Sequence, residues 1–287
     1  MLNLEVKYLS FGNLTFRLEC PEPLLETEKY KDFFSKEAPF DFSVRYSFSE
    51  DVGAPPLNAN LLQKGGKIFV AEGKNQSVFY NSACVGKYYA VRRSDAPHKF
   101  ANVVLSNEAK GKFWARLALN TLGIEEAAAR KNGVVFHSSF IETDNKAVLF
   151  AGPCSIGKST QAQLWHENRA STIVNGDKTL LYLKDGKVYA SGLPFSGSSN
   201  ISLNRSMELR SIVFLEKGSE NKVTPLNKKE AFVRLMKSSY APVFCADGLL
   251  FTLSEIAKKT PICLFSCTPD ERAVAALENF LKGVERF

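Results

Sequence analysis

The spacing of hydrophobic and polar residues predicts β-strands over the first third of the chain. Aromatic residues and valine occupy every second position from residue 40 to residue 48, and polar residues separate them. A period of two is typical of a strand with one buried face. Further strand-like runs cover residues 67–70, 87–92 and 99–105. We therefore expect a β-rich α+β domain over residues 1–108.

After residue 108 helices and strands alternate, so we place a second, α/β domain at residues 109–287. Helices are expected at residues 111–130, after residue 160, and at residues 228–238, 254–259 and 269–281. Strands are expected at residues 134–136, 146–150, 171–174, 180–183, 187–190, 211–216 and 262–265. Asp144-Asn145 and Asp185-Gly186 predict hairpin turns, and the first would pair residues 140–141 with the strand at residues 146–150.

The residues between the strand at 146–151 and the following helix fit the phosphate-binding pattern of glycine, four residues, then Gly-Lys-Ser/Thr. They are Gly152, Pro153, Cys154, Ser155, Ile156, Gly157, Lys158, Ser159 and Thr160. Glycines let successive backbone N–H groups point inwards, and the helix N-terminus adds a partial positive charge. Lys158 would reach the β- and γ-phosphates, and the Ser159 hydroxyl would bind a divalent metal. The pattern predicts a site for a nucleotide or another polyphosphate.

Two further residues follow apolar strands near this motif. Asp177 stands 19 residues after Lys158, and a carboxylate there can bind the metal through water or orient an attacking hydroxyl. The alternative is an ordinary turn aspartate, because Asn-Gly-Asp is also a turn sequence. His137 ends the strand at 134–136, 15 residues before Gly152. Neutral imidazole binds metals or exchanges protons near neutral pH, although a lone histidine is often structural.

Composition and charge narrow the classes of function. The formal net charge of +7 suits an anionic ligand, and because the basic residues are scattered we expect no nucleic-acid partner. Six cysteines without a Cys-x-x-Cys pair, and three histidines, argue against a structural zinc site. We see no secretory signal and no apolar run of membrane-spanning length, which favours the cytoplasm and no membrane partner. Cys154 is expected to have a small packing role.

Residues 133–177 resemble the family of HPr kinase/phosphorylases, which shares a nucleotide-binding fold with phosphoenolpyruvate carboxykinase. The matching segments are Gly-Val-Val-Phe-His ending at His137, Ala-Gly-Pro-Cys-Ser-Ile-Gly-Lys-Ser ending at Ser159, and Ile-Val-Asn-Gly-Asp ending at Asp177. Their spacing distinguishes this family from common phosphate-loop ATPases. A weaker likeness continues through residues 192–197. The sequence is also similar to smaller HPr-kinase-like proteins that act on peptides in biosynthetic clusters.

The resemblance implies a phosphate-loop, phosphoenolpyruvate carboxykinase/HPr kinase-like fold for the second domain. It implies that residues 152–160 hold the phosphates of ATP, that Lys158 contacts phosphate, and that Ser159 and Asp177 hold Mg²⁺. It makes Lys158, His137 and Asp177 catalytic, the last two near the γ-phosphate and the acceptor hydroxyl. The HPr kinases are hexameric as a family, so homo-oligomeric assembly is a further expectation.

The chain departs from the HPr kinases in two places. Those enzymes carry two adjacent aspartates where this chain has Gly176 and Asp177, so the role of the base falls to Asp177 or is lost. Their glycine- and isoleucine-rich signature segment is absent after residue 190. We therefore do not expect HPr itself to be the substrate.

Phosphoryl transfer also needs positive charge near the transferred group. Lys178, Arg205 and Arg210 are candidates by position, and the sequence does not rank them. The hydroxyl-rich residues 196–200 form either a lid over the substrate or a plain solvent loop.

These features predict an ATP- and Mg²⁺-dependent kinase that phosphorylates a hydroxyl, with a serine of a peptide or small protein as the acceptor. The N-terminal domain would recognise the substrate. Two alternatives stay open: a kinase of free serine or another small metabolite on the same fold, and a nucleotide-binding scaffold without turnover. A deep pocket beside His137 would favour the small metabolite, and the missing second acid favours the scaffold.

Overall fold

A computed structural model describes residues 4–24, 28–57, 60–64, 66–72, 75–81, 88–94, 99–112 and 115–284. The protein is a mixed α/β structure, rich in strands, with two sheets. It divides into two compact units, Met1–Ser10 with Leu14–Ala127 and Phe11–Asn13 with Ala128–Phe287. Residue 87 of one predicted strand and residues 113–114 of a predicted helical run lie outside the described ranges. Within those ranges, no helix is long and apolar enough to cross a membrane.

The first unit is built on one sheet of nine strands. The strands are β1 (Glu5–Phe11), β2 (Leu14–Cys20), β3 (Phe34–Ser35), β4 (Phe42–Ser49), β5 (Leu61–Lys64), β6 (Lys67–Glu72), β7 (Asn75–Asn81), β8 (Tyr88–Ser94) and β9 (Phe100–Ser106). Their order across the sheet is β3-β1-β2-β4-β9-β8-β7-β6-β5, with β4 parallel to β2 and to β9. In β4, Val44 and Tyr46 are buried while Arg45 and Ser47 are exposed, which confirms the predicted period of two.

The division between the units falls after Ala127 rather than after residue 108. Two helices follow the first sheet, α1 (Ala115–Thr121) and α2 (Ile124–Arg130). The buried hydroxyl of Tyr46 in β4 donates a 3.0 Å hydrogen bond to the carbonyl oxygen of Ala118 in α1. Because a buried polar group needs such a partner, this bond ties α1 to the first sheet.

The second unit carries a sheet of eight strands and four helices among its described residues. The strands are β10 (Gly133–Thr143), β11 (Lys146–Ala151), β12 (Thr172–Asn175), β13 (Lys178–Lys184), β14 (Lys187–Gly192), β15 (Ser206–Lys217), β16 (Lys222–Pro225) and β17 (Ile262–Cys267). The helices are α3 (Lys158–Arg169), α4 (Lys228–Ser238), α5 (Ala246–Lys259) and α6 (Glu271–Val284). The strand order is β11-β10-β13-β14-β15-β17-β16; β12 pairs with β10, and β11 also pairs with β15.

Strand β11 lies at the centre of a three-layer arrangement. Alternate residues of β11 and β15 belong to two different hydrophobic clusters, as the period of a strand requires. One cluster joins the sheet to α4 and α5 through Leu235, Leu249, Leu253 and Ile256. The other joins it to α3 and α6 through Ala162, Trp165, Val274 and Leu277. The sheet is therefore covered by helices on both faces.

Both predicted hairpins are present, but β10 and β15 are longer than the sequence indicated. Asp144 and Asn145 have φ values of 51° and 57°, as a tight turn between antiparallel strands requires, and they join β10 to β11. Asp185 and Gly186 join β13 to β14 in the same way. The strand predicted to end at His137 instead continues to Thr143 as part of β10. Ser138 and Ser139 are buried within it, which hid its continuity in the hydrophobic pattern.

The helix predictions for the second unit are confirmed in place, with one error of length. Helix α4 has the predicted bounds and begins with a capping box formed by Asn227 and Glu230. Helix α5 begins at Ala246, eight residues before the predicted start. A glycine and an acidic residue in its first turn weakened the helical signal there.

We expect Tyr46→Phe to lower the free energy of unfolding by about 0.5–1.5 kcal/mol, because it removes the hydrogen bond to Ala118. Urea unfolding followed by circular dichroism measures the difference. Tyr88→Phe is the control, since the Tyr88 hydroxyl makes no hydrogen bond with the described residues. Equal stability of Tyr46→Phe and wild type would contradict the docking of α1 on this sheet.

Candidate active site

The phosphate-loop sequence lies where β11 ends and α3 begins. Strands β11, β15 and β17 are parallel, so their carboxyl ends lie at the same edge of the sheet. The antiparallel strand β10 pairs Ser138 with Ala151, the last residue of β11. This register puts His137 beside the start of the loop. The strand–loop–helix context that the motif predicted is confirmed.

The loop turns through three residues with positive φ: Gly152 at 140°, Ser155 at 60° and Gly157 at 115°. L side chains rarely adopt the value at Gly157, and a Cβ there would meet no atom within 4 Å, so the space beside it is open. Gly157 supplies no side-chain cap to α3. The first N–H groups of α3 are therefore left for another acceptor, which fits a phosphate.

Lys158 is buried, and its ammonium group donates 3.0 Å hydrogen bonds to the carbonyl oxygens of Gly152 and Pro153. Burial lowers the pKa of this ammonium, while Cys154 and Asp177 act in the opposite direction. Hydrogen bonds to two neutral carbonyl groups offset only part of the free-energy cost of burying the positive charge of Lys158. A bound phosphate would supply the missing negative charge, so the loop fits the group that its sequence predicted.

The remaining residues of the motif are arranged around this lysine. Pro153, Cys154, Ser155, Ser159 and Thr160 are exposed, and Ile156 is half-buried. The expected packing role of Cys154 is therefore wrong, since its thiol faces solvent at the tip of a tight turn. Ser159 and Thr160 stand in the first turn of α3 and line a cavity of about 510 Å³.

The Asp177 turn is held by the side chain of Asn175, which is fully buried. The amide oxygen of Asn175 accepts hydrogen bonds from the backbone N–H of Asp177 at 2.9 Å and of Lys178 at 3.0 Å. Its amide nitrogen donates to the carbonyl oxygens of Leu193 at 2.8 Å and Phe195 at 2.7 Å. Asp177 is therefore a turn residue, and the turn stands where β12 ends.

His137 and Asp177 are neighbours, as the spacing of the motifs implied. The Nδ1 atom of His137 lies 3.1 Å from the carbonyl oxygen of Asp177 and 3.5 Å from its Oδ1 atom. The interaction with His137 lowers the pKa of the Asp177 carboxyl, and the positive charges of Lys178 and Lys158 add to this against the effect of burial. Asp177 is thus a carboxylate at neutral pH, with a histidine oriented against it.

Gly176 lies against the segment at residues 196–200. A Cβ at position 176 would be 2.0 Å from the Oγ atom and 2.5 Å from the Cβ atom of Ser199. The Ser199 hydroxyl also donates a 2.8 Å hydrogen bond to the carbonyl oxygen of Ser196. In this conformation the segment closes on the Asp177 turn, and no side chain fits at the position where the HPr kinases have their first aspartate.

The sequence matches the family model of the SynChlorMet cassette protein ScmC over residues 103–258, which is more than half of the chain. The chain belongs to the ScmC family. The match contains His137, the phosphate loop and Asp177, and it ends before β17. No curated protein matches the sequence.

Among solved structures, an Hpr(Ser) kinase/phosphatase from Coxiella burnetii is similar to part of this ScmC-family chain. The TM-score is 0.34 and the sequence identity is 14%, and the similarity covers 53% of this chain and 98% of that one. A likeness of this size does not bear on the function of the chain.

Of the three cations proposed from the sequence of this ScmC-family protein, the structure brings one to the site. Lys178 follows Asp177, and its Nζ atom lies 4.6 Å from the ring centroids of Phe195 and of Tyr240. Arg205 bonds to Glu142 at 2.6 Å and Arg210 to Asp144 at 3.1 Å, both near the hairpin turn that starts β11. That turn is about 15–20 Å from the phosphate loop at the rise of a strand. Arg205 and Arg210 are therefore structural.

Two cations that sequence reasoning missed lie in the last turns of α4. Arg234 and Lys237 line a cavity of about 490 Å³ together with His137, Gly152 and Pro153. The other described residues that line it are Phe214, Leu215, Ser238, Ser239 and Tyr240. The sequence predicted the bounds of α4. The sequence did not show which face of α4 is turned towards the site. That orientation depends on the packing of Leu235 in the core.

A metal ion at this site would be coordinated by few protein ligands. Within the described ranges, no three histidine, cysteine, aspartate or glutamate side chains form a metal-binding group. Magnesium bound to substrate phosphates usually takes one or two protein oxygens and keeps several waters. The exposed hydroxyl of Ser159 and the carboxylate of Asp177 are of the required type.

We expect Asn175→Ala to lower the free energy of unfolding by about 2–4 kcal/mol, because four hydrogen bonds to backbone groups are lost inside the protein. Asn168→Ala is the matched control, since that partly buried side chain makes one hydrogen bond with the described residues, to the carbonyl oxygen of Leu164 in α3. Urea unfolding of both variants provides the test. A loss no larger than that of the control would contradict the role given to Asn175.

The stabilising contribution of Asp177 should depend on pH. Its folded-state pKa is below the ordinary value of 3.8, so its charge stabilises the fold above that value and ceases to do so as the pH falls through the folded pKa. We expect Asp177→Asn to be less stable than wild type at pH 7, with the difference shrinking as the pH falls from about 5 through the folded-state pKa. Urea unfolding at several pH values measures it, and a constant difference would refute the interaction with His137.

Proposed function

We propose that this protein is an ATP- and Mg²⁺-dependent kinase with an HPr kinase-like second unit, and that its acceptor is a serine hydroxyl of a peptide or small protein. The observation that carries the proposal is the meeting of three groups at one edge of the sheet. These are the open phosphate loop with its buried Lys158, the carboxylate of Asp177, and the imidazole of His137. We also propose the cytoplasm as its compartment, because ATP is available there.

Each residue has a role that follows from its surroundings. The Lys158 ammonium, held over the loop, binds the β- and γ-phosphates, and the first N–H groups of α3 bind phosphate oxygens. The Ser159 hydroxyl and the Asp177 carboxylate would hold Mg²⁺. ATP supplies the phosphoryl group, and bound Mg²⁺ would supply positive charge against the negative charge that develops during its transfer.

Asp177 accepts the proton of the acceptor hydroxyl. The new bond joins the acceptor oxygen to the γ-phosphorus, the bond from that phosphorus to the bridging oxygen breaks, and ADP leaves with the electron pair. His137 orients the Asp177 carboxylate through its Nδ1 atom. Lys178, fixed between two aromatic rings, keeps positive charge beside the carboxylate. The first unit would recognise the peptide or the protein that carries it.

A kinase of free serine or another small metabolite is the second candidate. The cavity of about 490 Å³ beside His137 favours it, since sites for small molecules have volumes of this order. If no transfer is detected, the interpretation that remains is a scaffold that binds nucleotide without turnover.

We expect transfer of label from γ-labelled ATP with Mg²⁺ to free serine or to serine-containing peptides. Asp177→Ala should reduce transfer by about 100-fold or more while nucleotide affinity stays within a few-fold, because it removes the proton acceptor. Lys158→Ala should abolish nucleotide binding or turnover, because it removes the cation that binds the phosphates.

Lys184→Ala is the control for loss of a lysine, because this exposed residue lies at the far end of β13. Transfer by Asp177→Ala at the wild-type rate would disprove the proposed active site. Tight ATP binding by wild type with no transfer to either class of acceptor would favour the scaffold.

A further inference from the structure

The position of Lys158 indicates which side of the phosphate loop receives the γ-phosphate. Its Nζ atom lies 3.0 Å from the carbonyl oxygens of Gly152 and Pro153, at the start of the loop. The lysine of this motif reaches the β- and γ-phosphates, so the γ end of the nucleotide belongs on the Gly152 side. Ser159 and Thr160, at the other end of the motif, line the separate cavity of about 510 Å³.

The cavity of about 490 Å³ is therefore the one from which an acceptor would approach. Gly152, Pro153 and His137 form one wall of it. Phosphoryl transfer needs the attacking and leaving oxygens in line with the phosphorus, so the acceptor hydroxyl must enter beyond the γ end. The opposite wall comes from the last turns of α4 and the residues after it.

That opposite wall is positively charged. Arg234 and Lys237 both line the cavity, and no carboxylate is among its described lining residues. The guanidinium of Arg234 lies 5.8 Å from the Phe214 ring and 3.7 Å from an oxygen of the half-exposed Glu216, a distance typical of a weak pair. Lys237 is exposed and makes no hydrogen bond or ion pair with the described residues. Both cations are available to an anion in the cavity.

We propose that this cavity binds a carboxylate of the acceptor, close to the hydroxyl that is phosphorylated, through Arg234 and Lys237. The proposal rests on the kinase function proposed above and names the class of its substrate. The planar guanidinium of Arg234 suits a carboxylate, which it can bind with two parallel hydrogen bonds. The carboxylate comes either from free serine itself or from an aspartate or glutamate beside the serine of a peptide.

The cations could have two other roles, which experiments separate from carboxylate binding. Positive charge in the last turn of a helix also interacts favourably with its carboxyl-terminal carbonyl groups. If that were their whole role, replacing them would lower the stability of α4 and leave the recognition of acidic ligands unchanged. A third role, stabilisation of the transferred phosphoryl group, would lower turnover equally for acidic and neutral acceptors.

The test measures equilibrium binding of labelled peptides by fluorescence anisotropy, with Mg²⁺ and a non-hydrolysable ATP analogue present. One peptide has glutamates on both sides of its serine, and the other has glutamines there. We expect wild type to bind the glutamate peptide, or free serine in competition with it, about tenfold or more tightly than the matched neutral ligand. Arg234→Gln/Lys237→Gln should remove that preference without changing the affinity for the nucleotide analogue.

Lys229→Gln, in the exposed first turn of the same helix, is the control and should keep the preference. If free serine competes for the site and its methyl ester does not, the carboxylate belongs to the small metabolite. If the glutamate peptide binds and free serine does not compete with it, the carboxylate belongs to a peptide. Equal binding of acidic and neutral ligands by wild type would overturn the proposal. So would binding of none of the carboxylate probes, or a preference that survives in the double variant.

Label transfer from γ-labelled ATP to the same ligands, measured in parallel samples without the analogue, separates this inference from the kinase function. A preference for carboxylates without transfer would leave the binding site standing and refute the kinase. Transfer to acidic and neutral acceptors with equal KM would leave the kinase standing and refute the carboxylate site.

Discussion

The site depends on the pairing of β11 along both of its edges. Its antiparallel partner β10 and its parallel partner β15 hold it in register, and helices cover both of its faces. A strand confined on four sides cannot slip, because a shift of one residue would turn its buried side chains to the wrong layer. The point at which the chain leaves the sheet is thereby fixed. The loop, the histidine on β10 and the turn after β12 take their relative positions from that register.

Local features of this chain could be predicted because local rules determine them. The phosphate loop needs glycines at positions of positive φ, and the turns at Asp144-Asn145 and Asp185-Gly186 need residues that tolerate the left-handed region. The start of α4, where a capping box forms, was predicted equally well from the residue pattern. In each case the physical requirement lies within a few neighbouring residues, so the sequence alone was sufficient.

Features that depend on distant residues could not be predicted. Strand β10 continues through Ser138 and Ser139, because the hydroxyl of Ser138 bonds to Thr179, 41 residues away. The docking of α1 depends on Tyr46, and Arg205 and Arg210 pair with carboxylates whose proximity only the sheet register reveals. Arg234 and Lys237 reached the site through the packing of α4. The position of a charged side chain relative to the site becomes known only from the folded structure.

The close approach of Gly176 to Ser199 constrains how such a site could change over evolutionary time. An acid introduced at position 176 alone would collide with the Oγ and Cβ atoms of Ser199, and a change of that serine to alanine would still leave its Cβ 2.5 Å away. A lineage with one acid at this turn therefore reaches two acids only if position 199 loses its side chain or the segment after β14 moves in the same episode. The two arrangements therefore differ by at least two structural changes rather than by one substitution.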